Sequence, residues 1–292
     1  MKKVRKAVIP VAGYGTRLLP YTKAVPKPML PVVNVPAIQL IAKEASDAGI
    51  EEIMFVVGHK KEIIESHFSP FIELEKVLLD KNKTEFYNAI KFPETMAKIT
   101  FAVQENQRGT ADAIAVAKDF VKDEPFAVLF GDDLIYNEDK PVIKQLMEAY
   151  DKTGKTIIGV KTVPHEDVPK YASVEYDTKD GRLYHMTKIV EKPPLEEVKS
   201  DISPLGRYVL APTVMDIIET LEPDPRTGEY CITSAFEIDS QKNGVYAYEF
   251  EGTRYDLGDR LGFLKANVEY GLRDKDLHDG FKEYILELAK KL

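Results

Sequence analysis

A chain of 292 residues, 44% hydrophobic and 30% charged, can bury a sizeable core as one large domain or a main domain with an appended lobe. Its formal net charge of −8 argues against a nucleic-acid binder, which needs basic surface to displace counterions, so phosphate affinity must come from a few local cations. The single cysteine, Cys231, excludes an internal disulfide and suits a reducing cytosol. The apolar run in MKKVRKAVIP is too short for a signal peptide or membrane span, so a cytoplasmic chain with no membrane partner is expected.

Ala7, Val8, Ile9 and Val11 read as a buried strand that turns into a loop carrying Gly13, Gly15, Arg17, Lys23 and Lys27. Glycines permit positive φ and close approach of a ligand to the main chain, and successive loop amides make an anion-binding concavity. Arg17 adds a rigid fork of donors suited to phosphate oxygens, and the lysines add mobile charge. Pro20, Pro26, Pro28 and Pro31 argue against a continuous helix and predict an extended segment holding the lysines. The spacing fits neither a dinucleotide fingerprint nor a Walker loop. Glycine pairs are also common turn formers, but with Arg17 and Lys27 the stretch reads as a polyphosphate cradle.

Downstream, Ile38, Ile41, Ala42 and Ala45 recur at helical spacing after Pro36, and Gly49 closes that helix. A strand over 52–57 and a helix over 62–68 complete a parallel crossover, hence a doubly wound α/β sheet. Residues 71–90 read as an inserted helical pair. A strand over 99–103 leads into the polar loop from Gln104 to Gly109, and Thr110 is placed to cap the next helix. Phe126 to Phe130 is apolar throughout, as a central parallel strand should be, and runs into Gly131-Asp132-Asp133. Ligands of open α/β sheets gather beyond the carboxyl ends of strands, where these three loops would converge. The second half mixes strands over 156–163, 173–176, 189–190 and 208–210 with a turn at Lys179-Asp180-Gly181. Helices are expected over 214–221, 231–241, 260–270 and 277–292. In the last, Leu277, Phe281, Ile285, Leu288 and Leu292 form one apolar stripe, read first as docking on the body and second as a subunit contact.

Asp132 at a strand end suits Mg²⁺, which takes one or two carboxylates and completes its shell with water and phosphate oxygens; Asp256 in RYDLGDRLGF is the candidate second carboxylate. Glu191-Lys192-Pro193 sets a carboxylate beside an ammonium, fit for sugar hydroxyls and a sugar phosphate. Taken alone, the first motif is also a plain turn and the second a solvated ion pair. The five histidines have no metal-ligand spacing, and no Ser, His and Asp set suggests covalent catalysis.

Together AGYGTRLLPYTKAVPKPMLP, FGDD, IVEKP, GRYVLAP and YDLGDRLGFLKANVEYGLRD resemble the sugar nucleotidyltransferase family, in its UDP-glucose branch, over nearly the whole chain. The resemblance implies one Rossmann-like α/β domain over 1–292, a mostly parallel mixed sheet flanked by helices, with a helical insertion about 69–97 and a C-terminal helical segment about 259–292. It implies an Mg²⁺-assisted in-line attack of glucose 1-phosphate on the α-phosphorus of UTP, giving UDP-glucose and pyrophosphate, by a homo-oligomer (dimer or tetramer). By position, Ala12, Gly13 and Gly15 would bind nucleotide, and Arg17 and Lys27 would take the triphosphate. Gln104 and Gly109 would read uracil, and Asp132 and Asp256 would hold Mg²⁺. Asp133, Tyr171, Glu191 and Gly206 would line the sugar pocket, with Lys192 on the sugar phosphate. Pro28, the Thr110-Ala111-Asp112 run, Ala172 and Ser234 depart from that branch, at positions that bear on sugar and base choice rather than reaction class. A thymidylyl- or other sugar-1-phosphate nucleotidyltransferase is the near alternative, and a non-catalytic sugar-nucleotide sensor the distant one.

Overall fold

The computed structural model describes residues 2–58 and 60–292, so His59 lies outside the described residues. In chain order the strands are β1 (Lys6–Pro10), β2 (Pro31–Val32), β3 (Val35–Pro36), β4 (Glu52–Val57), β5 (Lys98–Val103), β6 (Phe126–Leu129) and β7 (Asp133–Tyr136). They continue as β8 (Thr156–Thr162), β9 (Ala172–Asp180), β10 (Leu183–Glu191), β11 (Ile202–Leu210), β12 (Val245–Glu249) and β13 (Thr253–Asp256). Nine of them form one sheet in the order β5-β4-β1-β6-β11-β8-β12-β10-β9. All but β11 and β10 run the same way, so the mixed, mostly parallel sheet is as expected.

Strand alternation sends successive side chains to opposite faces, and each face has its own core. Ala7, Ile9, Ala127 and Leu129 pack with the helix Ala37–Asp47 and with Val142–Thr153. Val8, Phe126 and Val128 pack with helices Thr110–Ala115, Thr213–Glu219 and Ile232–Lys242 on the other face. The inserted helical pair is Ile72–Asp80 and Thr84–Thr95, clasped by Lys91 between Glu75 and Glu94.

Several expectations change. The proline-rich segment after Gly15 is not extended. It makes three single 3₁₀ turns at Thr16–Leu18, Tyr21–Lys23 and Lys27–Met29, because proline's fixed φ serves a tight turn as well as an extended chain. Thr110 does not cap its own helix: its Oγ1 accepts from the amide of Ile232 at 3.0 Å and so satisfies the first amide of the helix Ile232–Lys242 instead. The short strands read at 173–176 and 189–190 belong to the long β9–β10 hairpin; residues 176–180 of β9 are exposed and mostly polar, whereas Tyr184 and Met186 of β10 are buried at alternate positions, which the sequence reading did not single out. The helix Val142–Thr153 and the strands β7, β12 and β13 had no counterpart in the sequence reading. The C-terminal helix, His278–Ala289, buries none of its residues; of its stripe, Phe281 lies over Gly271 of the helix Arg260–Arg273, while Leu288 and Leu292 stay exposed. Cys231 is a buried core residue, as read, and burial pushes its thiol up.

Candidate active site

Four parallel strands, β5, β4, β1 and β6, end at one edge of the sheet, and the loops after β1, β5 and β6 build a chamber of about 440 Å³ there. Val11, Ala12 and Gly13 follow β1, Gln104 to Gly109 follows β5, and Gly131-Asp132 follows β6; Arg17, Lys27, Pro28 and Lys192 complete the wall. Close packing fixes this edge: any side chain at Gly58 would meet the carbonyl of Ala12, and one at Gly131 would collide with Val11. Gly13 has open space around it, as a main-chain ligand site needs. Gly15 lines neither chamber. It takes φ 65° and packs against Lys27 and Thr22, so it shapes the turn that aims Lys27.

A second chamber, about 620 Å³, adjoins the first. Tyr171, Ala172, Glu191, Gly206, Asp133, Arg254 and Asp256 line it. Register shifts between His185 and Lys188 bend the β9–β10 ribbon, whose paired ends, Ala172 opposite Glu191, reach this chamber. Arg17, Thr110, Phe130 and Asp132 line both chambers, so Asp132 stands at their junction.

The second carboxylate arrives through the two-stranded pair β7–β13, in which Asp256 lies opposite Asp133, and the Leu257 amide donates to the carbonyl of Asp132 at 2.8 Å. The two adjacent aspartates are driven apart in acidity. Burial opposes ionisation of Asp132, but the charge and hydrogen bond of Lys27 (2.6 Å), with Arg254 and Arg17, outweigh it and hold this carboxyl below its ordinary value. Burial, against the charge of Arg254 and with the like charges of Asp132 and Asp256, pushes Asp133 up. Arg254 bonds Asp133 Oδ1 at 2.5 Å, lies 3.6 Å from Asp256, donates to the Tyr171 hydroxyl at 3.0 Å and stacks on its ring. Asp133 therefore enters the second chamber as an ion-paired wall. Gly206, at φ 62°, is required there because a Cβ would collide with the Asp133 carboxylate.

Asp132 and Asp256 offer the hard oxygen donors that Mg²⁺ accepts. Among the described residues no group of three or more His, Cys, Asp or Glu side chains could hold a metal, so the set suits an ion whose shell is finished by water and phosphate rather than an all-protein cage.

Glu191 is mostly buried, accepts from Thr233 Oγ1 at 2.9 Å, and is pushed up by burial. Lys192 takes φ 40° and lines the smaller chamber, whereas Glu191 lines the larger, with Lys192 Nζ 4.0 Å from Glu191 Oε1. Adjacent residues thus serve different chambers. Gln104 is buried, with Nε2 donating to Asp112 at 2.7 Å. Of the four departures, Pro28 lines the smaller chamber, Ala172 the larger, and Thr110 both. The sequence reading did not single out Arg254 or Gln107, whose buried Nε2 has no hydrogen-bond partner among the described residues. Gln107 lay within a polar loop and Arg254 two residues before Asp256, so only proximity to motif residues could have marked them.

Two chambers that share a carboxylate and a guanidinium at the carboxyl edge of a parallel sheet define a transferase that joins two phosphate-bearing substrates. The chain belongs to the nucleotidyl transferase family, whose model matches residues 6–272. It is 44% identical over 288 residues to the UTP–glucose-1-phosphate uridylyltransferase of Staphylococcus epidermidis, covering 99% of each chain, and 45% identical to enzyme 2 of that name from Staphylococcus saprophyticus, also over 99% of each. It is similar in structure to a UTP-bound UGPase of Acinetobacter baumannii, with a TM-score of 0.90, 35% identity, and coverage of 98% of this chain and 99% of that one.

Proposed function

We propose that this chain transfers a uridylyl group from UTP to glucose 1-phosphate, giving UDP-glucose and pyrophosphate. The observation that carries this is the junction: Arg17 and Asp132 line both chambers, so a nucleotide in one and a sugar phosphate in the other meet there. The names of its relatives supply the substrate pair.

In this reading Ala12 and Gly13 offer main chain to the nucleotide, and Gln104 and Gly109 face its base. Tyr171, Glu191 and Gly206 enclose the sugar. A glucose 1-phosphate oxygen attacks the α-phosphorus of UTP and the bond to pyrophosphate breaks; the attacking phosphate is already ionised, so no general base is needed. Arg17, Lys27 and Lys192 screen the repulsion between the two anions and stabilise the charge that builds up. Much of the remaining acceleration is positioning. Asp132 and Asp256 would hold Mg²⁺, which supplies neutralising charge on the phosphate oxygens. Lys27 donates to Asp132 in the free chain, which keeps that carboxylate ionised and places the cation beside it.

The chain has no described helix long and apolar enough to cross a membrane, and we assign it to the cytoplasm on its single, buried cysteine. Exposed apolar side chains on the inserted and C-terminal helices, including Ile72, Phe86, Tyr284 and Leu286, support a homo-oligomer, which sedimentation would size.

The deciding assay is pyrophosphate release across nucleoside triphosphates and sugar 1-phosphates, with and without Mg²⁺. UTP with glucose 1-phosphate is expected to be the fastest pair, and to stop without the metal. Faster turnover of dTTP or another sugar phosphate would transfer the chain to the neighbouring activity, and binding without release would make it a sensor.

A further inference from the structure

Gln104 ends β5 with its side chain 4% exposed on the wall of the nucleotide chamber. Its amide nitrogen has two neighbours, Asp112 Oδ2 at 2.7 Å and the carbonyl of Gly109 at 3.3 Å. A carboxylate and a carbonyl only accept, so the amide must turn its NH₂ toward them and its Oε1 away. Asp112 is itself held: Arg108 bonds Oδ1 through Nε at 3.0 Å and Nη2 at 2.5 Å, and the guanidinium stacks on the Tyr230 ring. The backbone ties the same parts together, since the Tyr230 amide donates to the Arg108 carbonyl and the Ala111 amide to the Tyr230 carbonyl. Among the described residues no donor engages Oε1.

We propose that Asp112, braced by Arg108, is a positioning residue for base choice: it locks Gln104 so that the chamber presents a hydrogen-bond acceptor to the base. This rests on the reading of the chamber as a uridine nucleotide site. Uracil carries a donor, N3–H, and satisfies Oε1. Cytosine carries a lone pair at N3 and sets two acceptors against each other in a buried place, the arrangement by which a polar site rejects an analogue most strongly. Thymine keeps N3–H, so the lock does not distinguish dTTP from UTP. The Thr110-Ala111-Asp112 run therefore supplies a fixed acceptor in place of whatever the related branch uses there.

The test measures kcat/KM for UTP, dTTP and CTP with glucose 1-phosphate. The wild type is expected to favour UTP over CTP by about a hundredfold or more. Asp112→Asn offers Gln104 both a donor and an acceptor, so the amide can rotate, and the UTP-to-CTP ratio is expected to fall about tenfold while the UTP-to-dTTP ratio holds. A merely structural role would lower all three substrates together and leave both ratios unchanged. Arg108→Gln, at an exposed side chain, is the second arm should the Asp112 variant not fold; it is expected to lower the UTP-to-CTP ratio by roughly threefold. A wild type that uses CTP as well as UTP, or a folded variant with an unchanged ratio, overturns the lock. A wild type that forms no UDP-glucose overturns the uridylyl reading instead, and the two failures are told apart by that first measurement.

Discussion

The functional weight of single residues here is set by burial and by what each neighbour can donate. Asp132 is held ionised by Lys27 at the junction of the chambers, so Asp132→Ala is expected to lower kcat for UDP-glucose formation by on the order of a hundred- to a thousandfold, the cost of losing one preorganised electrostatic contact. Near-normal turnover in a folded variant would remove it from the mechanism. Glu191 behaves oppositely. Its carboxyl is pushed up by burial, so the folded chain binds its proton more tightly than the unfolded one; that contribution to stability is complete below the ordinary carboxylate range and is lost as pH rises through the folded value. Glu191→Gln keeps an oxygen for Thr233 and cannot ionise. Its melting temperature relative to wild type is therefore expected to rise between pH 4 and pH 7, while sugar phosphate binding weakens; thermal melts at both pH values check the sign. Gly206→Ala combines φ 62° with a clash on Asp133, and should cost roughly 2–3 kcal/mol in stability and raise KM for glucose 1-phosphate more than for UTP. Equal changes in both KM values would mean that Gly206 does not serve the sugar chamber.

At the scale of elements, the support behind the site is a buried ion pair of which only Arg207, inside GRYVLAP, falls in a quoted motif. Arg207 of β11 is fully buried and bonds Glu44 in the helix Ala37–Asp47 at 2.8–3.1 Å. It also donates to the carbonyls of Asp133 and Gly206, so one guanidinium ties a helix to the loop carrying both aspartates. Glu44→Ala leaves that cation buried without its counter-ion and is expected to cost about 3–5 kcal/mol, read as a lower denaturation midpoint. Replacing both, Glu44→Leu with Arg207→Met, should recover part of the stability but not the activity, because the carbonyls of Asp133 and Gly206 lose their donor. Full recovery of both would show that the pair only fills space. This is also where the sequence ran short. The apolar strands β1, β4 and β6 and the polyphosphate loop announce themselves because a short continuous apolar run and glycine chemistry are local properties. Glu44 sits among Lys43, Ala45 and Ser46 like any solvated helix charge, and its partner is 163 positions away. The opposition of Asp256 and Asp133 depends on β7 pairing with β13, two short strands with no alternation to betray them. Thr110 looked like a local cap and serves another helix, since a hydroxyl accepts from whichever amide the fold brings near.

At the scale of the whole molecule, the two chambers are built by different parts of the chain. The smaller draws mainly on the loops after β1, β5 and β6, and the larger on the β9–β10 ribbon, β11 and β13, with Lys192 crossing from the second group to the first. A ligand confined to one chamber should therefore steady one part, and only a nucleotide sugar should steady both. Hydrogen exchange reads this directly, because protection reports local opening. UMP is expected to slow exchange in the segments around 11–17 and 104–110 and to leave 171–174 and 188–192 near their free rates. Glucose 1-phosphate should do the reverse, and UDP-glucose should protect both sets, with the backbone near Asp132 responding to all three. Protection of the ribbon by UMP alone would mean that the nucleotide crosses the junction, and the division of labour between the chambers would have to be redrawn. Protection by UDP-glucose confined to the first set would instead place the sugar outside the larger chamber, and with it the roles of Tyr171, Glu191 and Gly206.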